Sequence, residues 1–122
     1  MEFSFKAFEN SKKAVLIFLF LFSVYPNTIA DGLRLSVGEY TWPVIQENVE
    51  PSVILVTEEE IISAMHLIWE RMKIIVEPSG AVVLAAALTN QFCQIAEAGS
   101  LKNIGLVLCG GNTNLESLPW QK

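Results

Sequence analysis

Residues 81–88, Ala-Val-Val-Leu-Ala-Ala-Ala-Leu, are an unbroken apolar run entered through Pro78-Ser79-Gly80. The fixed φ of proline suits the first position of a helix, so a helix starts at Pro78. That helix is apolar on nearly every face, and in a soluble protein such a helix is packed on more than one side, its alanines allowing close approach. The chain has 122 residues, room for one domain at most. Two segments read as strands: Ser52 to Val56, β-branched at Val53, Ile54 and Val56, and Asn103 to Leu108, which runs into Cys109-Gly110-Gly111-Asn112. Both are apolar runs of the kind found in sheets covered on both faces. Strands alternating with helices predict an open parallel α/β sheet. Two strands cannot enclose a helix that is apolar all round, so the segment reads as part of a larger domain.

The helix best marked in the sequence begins at Thr57-Glu58-Glu59-Glu60. This is a capping box, in which the Thr57 hydroxyl takes the amide of residue 60 and Glu60 reaches back to the amide of Thr57. The three glutamates also complement the positive end of the helix dipole. That accounts for the acidic run without a metal. Behind it Ile61, Met65, Ile68 and Met72, joined by Ile62 and Trp69, recur along one stripe. A shorter helix is expected from Pro43, with Thr41 or Trp42 near its cap, after a loop through Asp31-Gly32-Leu33-Arg34 and Gly38. Residues 91–100 read as the end of the apolar helix and a connection, with Gly99 as a cap.

The first 26 residues differ from the rest. They carry Lys6, Lys12 and Lys13 against Glu2 and Glu9, then the apolar run Ala14 to Tyr25. The following 96 residues carry five basic side chains against eleven acidic ones. A helix of the run's length reaches about 18 Å, short of the roughly 30 Å hydrocarbon core. Three origins fit: a signal-peptide h-region with Thr28-Ile29-Ala30 as the small-residue site, a membrane anchor through residues 14–25, or unrelated sequence joined ahead of a truncated domain. The third is preferred, because Glu2, Glu9 and three phenylalanines precede the lysines and cleavage after Ala30 would cut a motif described below. The division expected is 1–26, an apolar N-terminal extension, and 27–122, the domain segment.

Charge and cysteine content exclude two classes. Eight Lys+Arg stand against thirteen Asp+Glu, with no basic cluster longer than Lys12-Lys13, so phosphate neutralisation on nucleic acid has no footprint. Cys93 and Cys109 lie far apart with no CxxC, and His66 is the only histidine, so no zinc site can be built locally. Cys93 reads as a small buried apolar residue.

Six motifs in order carry a family resemblance: Thr28-Ile29-Ala30-Asp31-Gly32-Leu33-Arg34, Thr41-Trp42-Pro43, Thr57-Glu58-Glu59-Glu60-Ile61, Trp69-Glu70-Arg71-Met72-Lys73, Val76-Glu77-Pro78-Ser79-Gly80-Ala81 and Leu108-Cys109-Gly110-Gly111-Asn112. From about Asn27 to Lys122 the chain resembles the C-terminal third of the serine racemase and serine/threonine dehydratase family, pyridoxal-phosphate enzymes of the tryptophan synthase β-like fold. The implied fold is α/β, a partial open parallel sheet with flanking helices, preceded by an apolar N-terminal helix. The family's Schiff-base lysine segment, its asparagine loop, its glycine-rich phosphate loop and its magnesium-binding acidic segment have no counterpart. None of the six lysines lies in such a context, and Gly110-Gly111 is too short to cradle a phosphate.

The resemblance implies roles for the residues that do match. Cys109 stands where the family places a Ser or Cys against the pyridine nitrogen of pyridoxal phosphate. A neutral thiol there weakens the electron sink and favours β-elimination and proton exchange at Cα over transamination. Serine is usual in the racemases and cysteine occurs among the dehydratases, so the choice between them stays open, as does a buried strand-end cysteine without such a role. Glu77 would lie near the ring, or be a carboxylate at a helix N-terminus. Gly32 resembles the glycine over which the ring is approached, with Asp31 on the substrate side. Lys73 and Asn112 match positions that contact a nucleotide activator at the dimer interface, though a helix C-terminus and a polar turn explain them equally. The family's substrates are L-serine, D-serine and L-threonine, and its location is cytoplasmic. The isolated chain is expected to be inactive and not to hold the cofactor alone. The alternative is a non-enzymatic interaction fragment that binds a full-length subunit or a membrane.

Secretion makes a checkable claim: N-terminal sequencing of the mature protein should then begin at Asp31, whereas recovery of Met1 removes that reading.

Overall fold

The structure, a computed structural model, describes residues 3–5, 27–35, 37–49, 54–98 and 101–121. The expected apolar helix over 14–25 lies outside the described residues, as do the start of the Ser52–Val56 strand and the Gly99 cap. In chain order the elements are β1 (Phe3–Phe5), a 3-10 turn (Asp31–Leu33), α1 (Thr41–Asn48), β2 (Ile54–Val56), α2 (Glu58–Leu67), a π-helical turn (Ile68–Met72), α3 (Pro78–Ala87) and α4 (Asn90–Ala98).

Helix α2 begins as its sequence dictates. The Glu60 amide donates to the Thr57 hydroxyl at 3.2 Å and the Thr57 amide donates to the Glu60 carboxylate at 2.7 Å, so both halves of the capping box are made. Ile61, Ala64, Met65 and Ile68 are buried along the expected stripe, but Met72 is exposed. The cause is the π-helical turn. Its wider i→i+5 winding carries residue 72 off the stripe that a 3.6-residue period would have kept. Lys73 ends the turn in the left-handed region, at φ 57°.

Helix α3 has Pro78 at its first position and Glu77 as its cap residue. Gly80, Ala81, Val82, Ala85 and Ala86 are buried. It packs most extensively on α2 and also touches β2, the 3-10 turn and α4. Cover on several sides is what its composition demanded. The core joins α3 to Ile54 and Val56 of β2, to Val76, to Phe92 of α4, and to Ala30 and Leu118. The chain's end folds back on the π-helical turn: the Trp69 and Trp120 rings meet edge-on at 5.6 Å. The Trp69 indole N–H donates to the Val76 carbonyl at 2.9 Å, which satisfies its one polar atom.

Four further expectations change. Residues 90–98 are not a fraying end but a separate helix. Thr89 starts it, its hydroxyl donating to the Ala86 carbonyl at 2.8 Å and accepting the Phe92 amide at 3.1 Å, the geometry of an N-cap. Because Phe92 takes the buried position on α4, Cys93 next to it is exposed rather than buried. Helix α1 starts at Thr41, and its cap residue is Tyr40, which makes no side-chain capping bond.

The fourth change concerns the strands. The ladder among the described residues is one antiparallel pair, β1 with β2, in the register Phe3–Val56, Ser4–Leu55, Phe5–Ile54. Within β2, Leu55 is exposed between two buried neighbours, so the strand is covered on one face only. Residues 103–108 form no ladder. A strand is defined by its hydrogen-bonded neighbours, and the parallel partners that this segment's composition anticipates are not among the described residues; Ile104 and Val107 are exposed as a result. Among the described residues no single helix is long and apolar enough to cross a membrane. One bent pair, α3 with Asn90–Glu97, passes by length and composition, and α3 is a core helix.

Replacing Thr57 by Ala removes one half of the capping box and should lower stability by about 1 kcal/mol, read from the midpoint of urea denaturation. Lys73→Gly relieves the left-handed backbone and should raise it by roughly 0.5–1 kcal/mol in the same assay.

Candidate functional site

The N-terminal end of α3 gathers two loops that are distant in sequence. The first is the 3-10 turn. The Gly32 amide donates to the Ser79 hydroxyl at 3.1 Å and to the carboxylate of its neighbour Asp31 at 2.9 Å. The Arg34 guanidinium donates to the Thr28 carbonyl, and the Ala30 amide donates to the Thr28 hydroxyl at 3.0 Å. The Thr28–Arg34 motif is thus a self-braced loop. From its far side the Ile29 amide donates to the carboxylate of Glu58, on α2, at 3.0 Å.

The second loop is 109–112. The Glu77 amide donates to the Gly110 carbonyl at 3.1 Å, and the Glu77 carboxylate accepts the Asn112 amide at 3.1 Å. Glu77 therefore directs its carboxylate to the opposite loop rather than to capping α3, where it makes no side-chain bond. Gly110 has φ +90°, a conformation that side chains resist, and a methyl group added there would stand 2.4 Å from the nearer Glu77 carboxylate oxygen. One added at Gly32 would lie 3.0 Å from the Ser79 hydroxyl and 3.6 Å from Glu77 Oε1. The carboxylate is flanked by two glycines from the two loops.

Gly80 makes the seat. A methyl group there would fall 2.4 Å from the Cys109 carbonyl oxygen and 2.7 Å from a Val76 methyl, so the absent side chain is what lets residue 109 lie against α3. Cys109 itself is exposed and unbridged among the described residues.

Of the residues singled out from sequence, Gly32, Glu77, Cys109 and Asn112 come together here, with Asp31 at the edge of the same cluster. Lys73 does not join them. It is exposed at the end of the π-helical turn and has no ion-pair partner among the described residues. Sequence reasoning missed Ser79 and Glu58 as members of this network. Ser79 belongs to the first turn of α3, where a hydroxyl is unremarked, and Glu58 is one of three adjacent glutamates whose common signal is the helix dipole.

The chemistry of the group is compatible with the ring side of pyridoxal phosphate: an exposed thiol and a fixed carboxylate beside the glycine backbone of two loops. It does not fit the phosphate side. Two amides of the 109–112 turn region are already taken, Asn112 by Glu77 and Thr113 by the Gly111 carbonyl at 3.1 Å, so they cannot form a cradle. The two described lysines that could be considered, Lys73 and Lys102, are exposed and make no bond to the cluster.

Comparisons with known proteins identify the family. The profile of a family described as "Pyridoxal-phosphate dependent enzyme" matches residues 8–110. The serine racemase of Dictyostelium discoideum is 53% identical over 93 residues, 76% of this chain and 28% of the relative. The crystal structure of a pyridoxal 5'-phosphate-dependent aspartate racemase superposes with TM-score 0.74 at 38% identity, over 80% of this chain and 30% of that one. The structure of maize serine racemase does so with TM-score 0.68 at 41% identity, over 80% and 30%. The chain spans a little under a third of the length of the relatives it matches.

The glycines give a graded expectation. Gly80→Ala should cost about 1–3 kcal/mol, because the obstructing atom is backbone. Gly105→Ala, which meets nothing within 4 Å, should stay within roughly 0.5 kcal/mol; paired denaturation curves check the contrast.

Proposed function

Since the chain belongs to the pyridoxal-phosphate-dependent enzymes, we propose that it supplies the ring side of the cofactor site in an enzyme of the serine racemase and serine/threonine dehydratase class. The observation that carries this reading is the convergence of Gly32, Glu77 and Cys109 at the N-terminal end of α3, drawn from three separate stretches of sequence. Pyridoxal phosphate, when bound, supplies an electron sink for charge developing at the Cα of an amino acid. This chain's residues hold and orient. The Cys109 thiol would face the ring nitrogen, and Glu77, fixed by the Asn112 amide, keeps the 109–112 turn in place. Gly32 would approach the ring with bare backbone, and Asp31 would stand toward the substrate.

The substrate class is a small hydroxy amino acid, serine or threonine, in keeping with the names of the relatives. A cysteine at position 109 is compatible with either elimination of water or proton exchange at Cα, so the proposal covers both. The lysine that anchors the cofactor and the loop that takes its phosphate are not supplied by the described residues. The chain on its own is therefore proposed to be inactive and not to retain the cofactor. The family's cytoplasmic location is proposed with the same reading.

Two measurements test it. The purified chain mixed with pyridoxal phosphate and reduced with borohydride should show no stoichiometric labelling of a single lysine; one uniquely labelled lysine would overturn the inactivity. A chimera in which residues 27–122 replace the matched stretch of the Dictyostelium enzyme should bind pyridoxal phosphate. Cys109→Ala in that chimera should shift the absorbance of the bound cofactor and lower turnover by about tenfold or more. A folded chimera that fails to bind it would sink the assignment of the ring side.

A further inference from the structure

Glu58 differs from the two glutamates beside it. All three open α2 and all three complement its dipole, a role that a carboxylate fulfils while remaining in water. Glu59 and Glu60 are exposed, but Glu58 is half-buried. One of its oxygens accepts the Ile29 amide at 3.0 Å across 29 residues of sequence, and the other, Oε1, is buried without a hydrogen-bond partner among the described residues. Burying a carboxylate oxygen without a partner is unfavourable, so the dipole alone does not account for the placement. What the placement achieves is a fixed loop. Ile29 lies immediately before Ala30, which is wholly buried, and two residues before the turn whose Gly32 amide meets Ser79.

We propose that Glu58 is a positioning residue for the Asp31–Gly32 turn: by gripping the Ile29 amide from the start of α2 it holds the turn in place against Ser79 at the N-terminal end of α3. This deepens, and rests on, the reading of Gly32 as the ring-facing glycine. The loop has one brace from within, the Arg34 and Thr28 contacts, and two from outside, Glu58 on α2 and Ser79 on α3. The internal brace shapes the loop. The external pair, with the burial of Ala30 in the core, sets where it sits relative to Glu77 and Cys109.

Amide hydrogen exchange on the full chain, followed by NMR, tests the clasp. Glu58→Ala should speed exchange of the Ile29 amide by about tenfold and that of Gly32 by a smaller factor, while Met65 and Ala85 in the core keep their rates. Glu58→Gln retains an acceptor oxygen and should protect Ile29 nearly as well as the native residue. Glu59→Ala removes the same helix-dipole charge and should leave Ile29 unchanged. If Glu58→Ala does not fold, Glu58→Asp, which keeps the charge and shortens the reach by one methylene, should open the same amide. The proposal is overturned if Glu59→Ala acts on Ile29 as Glu58→Ala does, if Glu58→Gln fails to protect it, or if Gly32 does not respond to loss of the clasp. The readout needs no cofactor. Its failure leaves the ring-side assignment standing, and failure of the chimera to bind pyridoxal phosphate leaves the clasp standing.

Discussion

Helix α3 has no polar face, and α2, β2, α4 and the 3-10 turn gather around it. Its buried small side chains at Ala81, Ala85 and Ala86 suit close packing, and all four of these elements contact the helix. Burial of these faces is the main favourable term, and it is non-directional. The directional bonds then decide which residues end up together. They concentrate at the helix's N-terminal end, where Glu77 meets the 109–112 loop and Ser79 meets the 3-10 turn.

That end works through omission as much as through contact. Side chains are absent at Gly32, Gly80 and Gly110, and each absence admits a specific neighbour: the Ser79 hydroxyl, the Cys109 carbonyl and the Glu77 carboxylate. A carboxylate enclosed by two glycines and held by one amide has little freedom. The same arrangement leaves Cys109 exposed while its backbone lies against α3. Residues 103–108 are left in a comparable position: an apolar extended segment with no ladder, its Ile104 and Val107 in the open.

Several elements are legible in the order of residues alone. The capping box at Thr57 and Glu60, the start of α3 at Pro78 and the buried stripe of α2 all follow from local rules, because each depends on residues within one or two turns of one another. The departures are equally physical. Met72 leaves the stripe because the helix widens into a π turn, Cys93 is exposed because Phe92 next to it reaches the core, and the 103–108 strand is unpaired because pairing is a property of neighbours rather than of the segment. The cluster residues Gly32, Glu77, Cys109 and Asn112 stand out in the sequence through their resemblance to a family's motifs; no spacing along the chain brings Gly32 to Ser79 or Asn112 to Glu77.

Sequence by itself determined that this chain contains a helix requiring cover on several sides, a capped amphipathic helix to provide part of it, and the motifs of a pyridoxal-phosphate enzyme over 96 residues. Those are local or compositional facts. Tertiary structure alone decided that Glu77 serves the facing loop instead of its own helix, that Glu58 serves the Ile29 loop and not only the dipole, and that Lys73 stands apart from the cluster. A side chain's alternatives at a helix terminus are close in energy, and the choice among them is made by which distant backbone amide the packed core delivers within reach.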